Sequence, residues 1–135
     1  TKRAADFIPN VGAILPHGVN TDLFRPSKNI EKDWETMGFP GSMGVATIGR
    51  IREEKGTDLF IDTMLEILPK KKGLTALVIG KAMIEDRYFL DALKSKVLKA
   101  GLKDRIIFTG EISPEKLPRI IQFWSIFYEN RDGLF

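Results

Sequence analysis

Between residues 43 and 110 short apolar runs alternate with longer amphipathic ones, and each apolar run stops at a glycine. Gly44–Ile48 leads into Gly49, Thr75–Ile79 into Gly80, and Arg105–Thr109 into Gly110. The stretches between them carry helical periodicity, expected over Thr57–Leu68 and Glu85–Ala100. Strand, helix, strand, helix, strand in this order predicts βαβ units and a parallel sheet, an α/β fold. In open sheets of this kind a ligand lies beyond the carboxyl ends of the strands, near the point where strand order reverses. Glycines at three strand ends fit that geometry by removing side chains that would block it, and each one also fits an ordinary strand-to-loop turn.

The helices have readable faces. In the first, Phe60, Met64, Ile67 and Leu68 form an apolar stripe, and Pro69 stops it. Asp58, Asp62 and Glu66 repeat at every fourth position on the other side, which reads as a solvated face rather than an acid/base or metal cluster. In the second, Phe89, Leu93, Val97 and Ala100 form one stripe, and Lys94, Lys96 and Lys99 gather where cations favour the helix dipole. Gly101-Leu102 fits a Schellman stop. Further on, Ser113-Pro114-Glu115 predicts a turn, Pro118 to about Trp124 a third helix, and Ile126–Tyr128 a fourth strand left at the sheet edge.

The stretch M-G-V-A-T-I-G-R-I-R-E-E-K-G, residues 43–56, combines a buried strand with Gly49, Arg50, Lys55 and then Gly56 at the mouth of a helix. Backbone beside glycine can approach an anion closely, and a helix N-terminus adds partial positive charge. Arg50 and Lys55 can then neutralise a diphosphate from either side. The composition narrows the alternatives. With no cysteine and one histidine among 135 residues, thiolate sites are excluded and a zinc cluster is not expected, so no metal site is assigned. Lys and Arg (21) exceed Asp and Glu (18) by three and are interspersed, which does not point to nucleic acid. No apolar run approaches the roughly 20 residues of a membrane helix, so no membrane span and a cytoplasmic location are expected.

Outside this region the pattern is weaker. Pro9, Asn10, Gly12, Pro16 and Gly18 mark residues 1–42 as a linker or hinge segment, with a short strand at Val11–Leu15 and a helix at Ile30–Met37 docked through Trp34 and Met37. His17, between Pro16 and Gly18, has no partner nearby that would make it a catalytic base, and reads as a turn residue. The chain begins at Thr1, which suggests a piece of a longer polypeptide, and residues 129–135 have no periodicity.

In order, I-L-P-H-G-V-N-T-D-L-F-R-P, I-G-R-I-R-E-E-K-G-T-D-L-F-I-D-T-M, A-L-V-I-G and L-K-D-R-I-I-F-T-G-E-I resemble the C-terminal half of glycosyltransferase family 4 enzymes of the GT-B fold. Within that family the set looks most like the lipopolysaccharide core mannosyltransferases of alphaproteobacteria. The resemblance implies a Rossmann-like, donor-binding domain at residues 43–128, incomplete at its C-terminal side, with residues 129–135 a divergent tail. It implies retaining transfer from a nucleotide sugar, GDP-mannose or a relative, with no cofactor and without a bound metal. Arg50 and Lys55 match the cations that grip the donor diphosphate, Gly49 the glycine that opens the loop, and Gly80 and Ile112 strand-end positions that approach the nucleotide.

Two departures bear on activity. The acceptor domain, which in the family faces this one and would bind the lipopolysaccharide core, is missing, as are the paired glutamates that hold the donor sugar. Glu129 and Asp132 stand alone at that point. No catalytic residue is therefore assigned in this chain, and it is expected to be inactive alone. Its parent is expected in the cytoplasm, peripheral to the inner membrane if associated with it at all. Two other readings stay open: a ligand-free remnant of a disrupted gene, and a free-standing nucleotide-binding α/β module. A sheet lacking its last units would expose an apolar edge, so poor solubility is expected.

Overall fold

The computed structural model describes residues 18–25, 36–121 and 124–127. Four strands, β1 (Met43–Ile48), β2 (Leu74–Ile79), β3 (Ile106–Gly110) and β4 (Trp124–Phe127), form one sheet in the order β3-β2-β1-β4. All neighbouring pairs are parallel, and β1 and β2 match residue for residue from Met43 opposite Leu74 to Ile48 opposite Ile79. The helices are α1 (Thr57–Ile67), α2 (Arg87–Lys99) and α3 (Leu117–Ile121). The chain steps outward from β1 to β2 and β3, then crosses back to place β4 on the other side of β1. Strand order therefore reverses beside the carboxyl end of β1.

Period-two alternation divides the core into two layers. Val45, Leu74, Ala76, Val78 and Ile106 face one side, where they meet Phe60, Ile61, Met64 and Leu68 of the first helical segment and Leu93 and Val97 of α2. Ala46, Leu77 and Ile79 face the other, where Ile120 of α3 packs with the half-buried Phe39, Ile107, Ile112 and Leu117. Every residue of β2 is buried, as expected of a central strand covered on both faces.

The expected elements form with shifted ends. The second helix starts at Arg87 rather than Glu85, because Asp86 N–H bonds to Met83 C=O (3.1 Å) and Arg87 N–H to Ile84 C=O (3.4 Å), closing turns in place of the first helical residues. The third helix begins one residue before Pro118 and stops at Ile121, so β4 starts at Trp124 and not at Ile126. Of the stripe expected on α2, Ala100 is exposed, since it belongs to the stop and not to the last helical turn. The stop itself is a Schellman motif: Gly101 has φ 69°, its N–H bonds to Leu98 C=O (3.0 Å), and Leu102 N–H bonds to Val97 C=O (3.2 Å).

The acidic face of α1 is only partly solvated. Asp62 pairs with Lys96 of α2, tying the two helices together, while Asp58 is half-buried with Oδ1 shielded and without a hydrogen-bond partner. The strand expected at Val11–Leu15, His17, Trp34, Glu129 and Asp132 lie outside the described residues, as does the helix expected at Ile30–Met37 apart from its end.

Candidate functional site at the strand ends

Hydrogen bonding between strands continues past their last residues. Gly49 N–H donates to Ile79 C=O (2.9 Å), Gly80 N–H to Gly110 C=O (2.9 Å), and Ile51 N–H to Lys81 C=O (3.0 Å). The three glycines thus stand side by side at one edge, each for its own reason. A Cβ on Gly80, where φ is 140°, would lie 1.8 Å from the Gly49 carbonyl oxygen, so glycine there is imposed by two backbones in contact. At Gly49 and Gly110 a Cβ would meet nothing within 4 Å, which leaves open space beyond β1 and β3. Gly80 has a packing role, and Gly49 faces room for a ligand.

Arg50 sits between two pinned residues. Gly49 is bonded to β2, and Ile51 is bonded to Lys81 with its side chain only 2% exposed in the core. The guanidinium between them is exposed and makes no ion pair or hydrogen bond with any described residue. A rigid backbone therefore presents a free cation at the strand-order reversal. Lys55 ends a short 3-10 turn, Glu53–Lys55, closed by Lys55 N–H on Arg52 C=O and Gly56 N–H on Glu53 C=O (both 3.0 Å). Gly56 is then the N-cap of α1, without a side-chain cap bond.

Next to this loop lies an open cavity of about 450 Å3 lined by Arg50, Arg52, Glu53, Glu54, Glu85, Asp86 and Tyr88. It joins the loop after β1 to the start of α2. Its charge is mixed: four carboxylates face two guanidiniums, and Arg52 is engaged by Glu54 at 3.1 Å. Among the described residues no three His, Cys, Asp or Glu side chains converge where a metal could be held.

Of the residues expected at the site, Arg50 lines the cavity, whereas Gly49, Lys55, Gly80 and Ile112 do not. Ile112 follows β3, but its side chain packs into the core layer with Ile79 and Ile120. Beyond Gly80 and Gly110, Lys81 and Glu111 form an exposed ion pair at 2.6 Å. Sequence reasoning did not find Arg52, Glu85, Asp86 or Tyr88. For Glu85 and Asp86 the usable signal was the polar Glu85-Asp86-Arg87, read only as a helix start.

The loop after β1 thus presents an exposed cation beside open space at the strand ends. Residues 39–128 match the family model for glycosyl transferases group 1. The chain belongs to this family. It is 40% identical over 115 residues to the lipopolysaccharide core biosynthesis mannosyltransferase LpcC of Rhizobium leguminosarum bv. viciae, covering 85% of this chain and 33% of that protein. It is 37% identical over 110 residues to the lipopolysaccharide core biosynthesis mannosyltransferase LpsB of Rhizobium meliloti, covering 81% of this chain and 31% of that one. Among solved structures, the C-terminal domain of the glycosyl transferase group 1 family protein LpcC from Francisella tularensis superposes with a TM-score of 0.78 at 38% identity. That match covers 82% of this chain and 57% of the other.

The chain therefore spans about a third of the length of the curated relatives it matches. This member of the group 1 family has the parallel sheet with flanking helices that its alternation predicted, in the arrangement of a GT-B C-terminal domain. No helix among its described residues is long and apolar enough to cross a membrane.

Proposed function

We propose that this glycosyltransferase chain is the donor-binding part of a retaining mannosyltransferase that takes GDP-mannose and acts in lipopolysaccharide core assembly. The observation that carries the reading is Arg50, a guanidinium without a partner among the described residues, on a pinned backbone next to open space at Gly49 and beside the reversal of strand order. The mannosyltransferase names of the relatives support the sugar. In this mechanism the guanidinium of Arg50 and the ammonium of Lys55 take up charge on the diphosphate as the bond from the sugar anomeric carbon to the phosphate oxygen breaks. Charge-assisted hydrogen bonds that strengthen as that charge develops lower the barrier. The saccharide acceptor is assigned to a region outside the third of the relatives' length that this chain matches.

Calorimetry with GDP tests the reading. The 135-residue chain is expected to bind GDP, and Arg50→Ala to weaken binding at least tenfold, in line with roughly 1.5–3 kcal/mol for a hydrogen bond to a charged group. Lys55→Ala should have a smaller effect, since Lys55 stands outside the cavity. Unchanged affinity in Arg50→Ala would defeat the proposal, and a chain that binds no GDP would favour the ligand-free remnant. Incubated with GDP-mannose and a lipopolysaccharide core acceptor, the chain alone is expected to transfer no mannose, and transfer detected by mass spectrometry would contradict that.

A further inference from the structure

The amino edge of the sheet, opposite the strand ends that carry Arg50, gathers cations that no ion pair uses. Lys70, Lys71 and Lys72 are consecutive and exposed in the turn that enters β2. Lys99 and Lys103, also exposed, lie at the end of α2 and in the loop that leads to β3. None of the five makes an ion pair with a described residue, whereas Lys81 and Lys96 do. The two loops are bound together. The Arg105 guanidinium donates to Leu68 C=O and Leu74 C=O (both 2.7 Å), on either side of the three lysines, and to Lys71 C=O among them. Leu102 C=O accepts from Arg105 N–H (3.0 Å) and Ile106 N–H (2.9 Å), which ties the end of α2 to the start of β3.

Among the described residues the five lysines and Arg105 share this edge with two carboxylates, Glu66 and Asp104. Six cations against two anions leave an excess of four, where the whole chain carries +3, so the net positive charge of the molecule is concentrated here. Like charges held together repel, and a cluster kept together by a backbone clamp suits an anionic partner. Apolar neighbours indicate which kind. Leu98, one residue before Lys99, is 61% exposed, and Met43, whose N–H bonds to Gly73 C=O (3.2 Å) next to the lysine run, is 49% exposed. Lysines interleaved with exposed aliphatic side chains suit a bilayer, the ammonium groups reaching headgroups while the apolar side chains enter the acyl boundary. A nucleic-acid surface would instead call for aromatic platforms or free guanidinium forks. Here the lysines are point charges, and the Arg105 fork is engaged by main-chain carbonyls.

We infer that this edge docks on an anionic phospholipid bilayer, with Lys70, Lys71, Lys72, Lys99 and Lys103 against the headgroups and Leu98 and Met43 at the acyl boundary. β1 and β2 are six residues long, so a chain docked in this way holds the Arg50 edge up to about 20 Å from the surface. The inference does not depend on what binds at that far edge.

Flotation of the 135-residue chain with lipid vesicles is the test, because aggregated protein sediments and only vesicle-bound chain rises. The chain is expected to float with vesicles of equal parts phosphatidylglycerol and phosphatidylcholine and not with phosphatidylcholine alone. Its affinity should fall at least about tenfold as salt rises from about 0.05 M to about 0.5 M. Lys70→Ser/Lys72→Ser should weaken binding at least about tenfold, each surface lysine being worth roughly fivefold. A control of equal charge at the opposite edge, Lys81→Ser/Lys116→Ser, should weaken it less than about threefold, since those ammonium groups stand beyond the screening length. Leu98→Ser should weaken it by about threefold or more with the salt dependence unchanged.

A wild-type chain that stays unbound on anionic vesicles at low salt overturns the inference. So do two double variants weakened alike, because net charge and not this edge would then be binding. A Leu98→Ser chain that floats like wild type, or tighter binding to single-stranded RNA than to anionic vesicles in the same buffer, overturns the bilayer as the partner. Thermal melts of each variant show whether a lost affinity is a lost fold.

Discussion

Gly80→Ala is expected to lower the unfolding free energy by about 3–5 kcal/mol, the sum of overpacking against an unyielding neighbour and a strained backbone. The new methyl carbon would stand 1.8 Å from the Gly49 carbonyl oxygen and 2.9 Å from its carbonyl carbon, at a φ of 140° that favours glycine. A side chain in that position could rotate away, but a backbone carbonyl cannot. The Gly49 amide is held by Ile79 and the next amide but one, that of Ile51, by Lys81, so relief requires the ends of β1 and β2 to part. Against a total stability of about 5–15 kcal/mol for a domain, this loss is large. Urea titration would measure it. Gly49→Ala is the informative control, because a methyl there meets nothing within 4 Å and only the backbone conformation is strained. A Gly80→Ala variant within about 1 kcal/mol of wild type would mean that the two strand ends are not locked together.

The second large effect is expected at the other end of the sheet. Arg105 lies just before β3, and its guanidinium donates to Leu68 C=O and Leu74 C=O, both at 2.7 Å, and to Lys71 C=O. Leu68 opens and Lys71 caps the 3-10 turn that follows α1, and Leu74 opens β2. The backbone of Arg105 joins in, its N–H on Leu102 C=O (3.0 Å) and its C=O accepting from Ala76 N–H (2.8 Å). Arg105→Ala would remove the one planar group able to reach all three carbonyls, leaving Leu68 C=O with only the Lys71 N–H (3.2 Å) and Lys71 C=O with only the Leu74 N–H (3.1 Å). The expected loss is about 2–4 kcal/mol by urea titration. Lysine should recover less than half of that, since an ammonium is a point donor and not a fork. GDP affinity measured well below the melting temperature should not change, because the clamp is remote from the strand ends that face the cavity. A loss under about 1 kcal/mol would show that water replaces the guanidinium without penalty.

These two residues also mark what the sequence could show. Gly80 was visible as a glycine at a strand end, but the reason for it was not, because the clash is with a carbonyl on the neighbouring strand. Arg105 gave no sign of its clamp: its partners are main-chain oxygens 31 and 37 residues away, and every residue has such an oxygen. Elements that rest on local periodicity were legible, β1 and β2 to within one residue at their starts and the stop at Gly101 to the bond. Ile61, fully buried, escaped the expected stripe because the face α1 turns to the sheet is wider than one row of side chains.

The same contrast holds at the site. Gly49, Arg50 and Lys55 stood out because one loop carries glycine and both cations within a few residues, and of the three Arg50 lines the cavity. Asp86 and Tyr88 were not, since only the pairing of β1 with β2 brings the start of α2 to the loop after β1. An aspartate before a helix reads as a cap in any sequence, and the structure was needed to show that this one does not cap.

The strand order also has a consequence for how the chain assembles. β1, β2 and β3 are sequential neighbours, so their pairing closes modest loops, whereas β4 must return across the whole βαβαβ unit to reach β1. Contacts between distant parts of a chain carry the larger loop-closure entropy and form late. The flank that carries Arg50, Asp86 and Tyr88 can therefore organise before β4 has been made. The side of β1 that receives β4 stays open until the last segment arrives, and during synthesis that open side is where a wrong strand would dock.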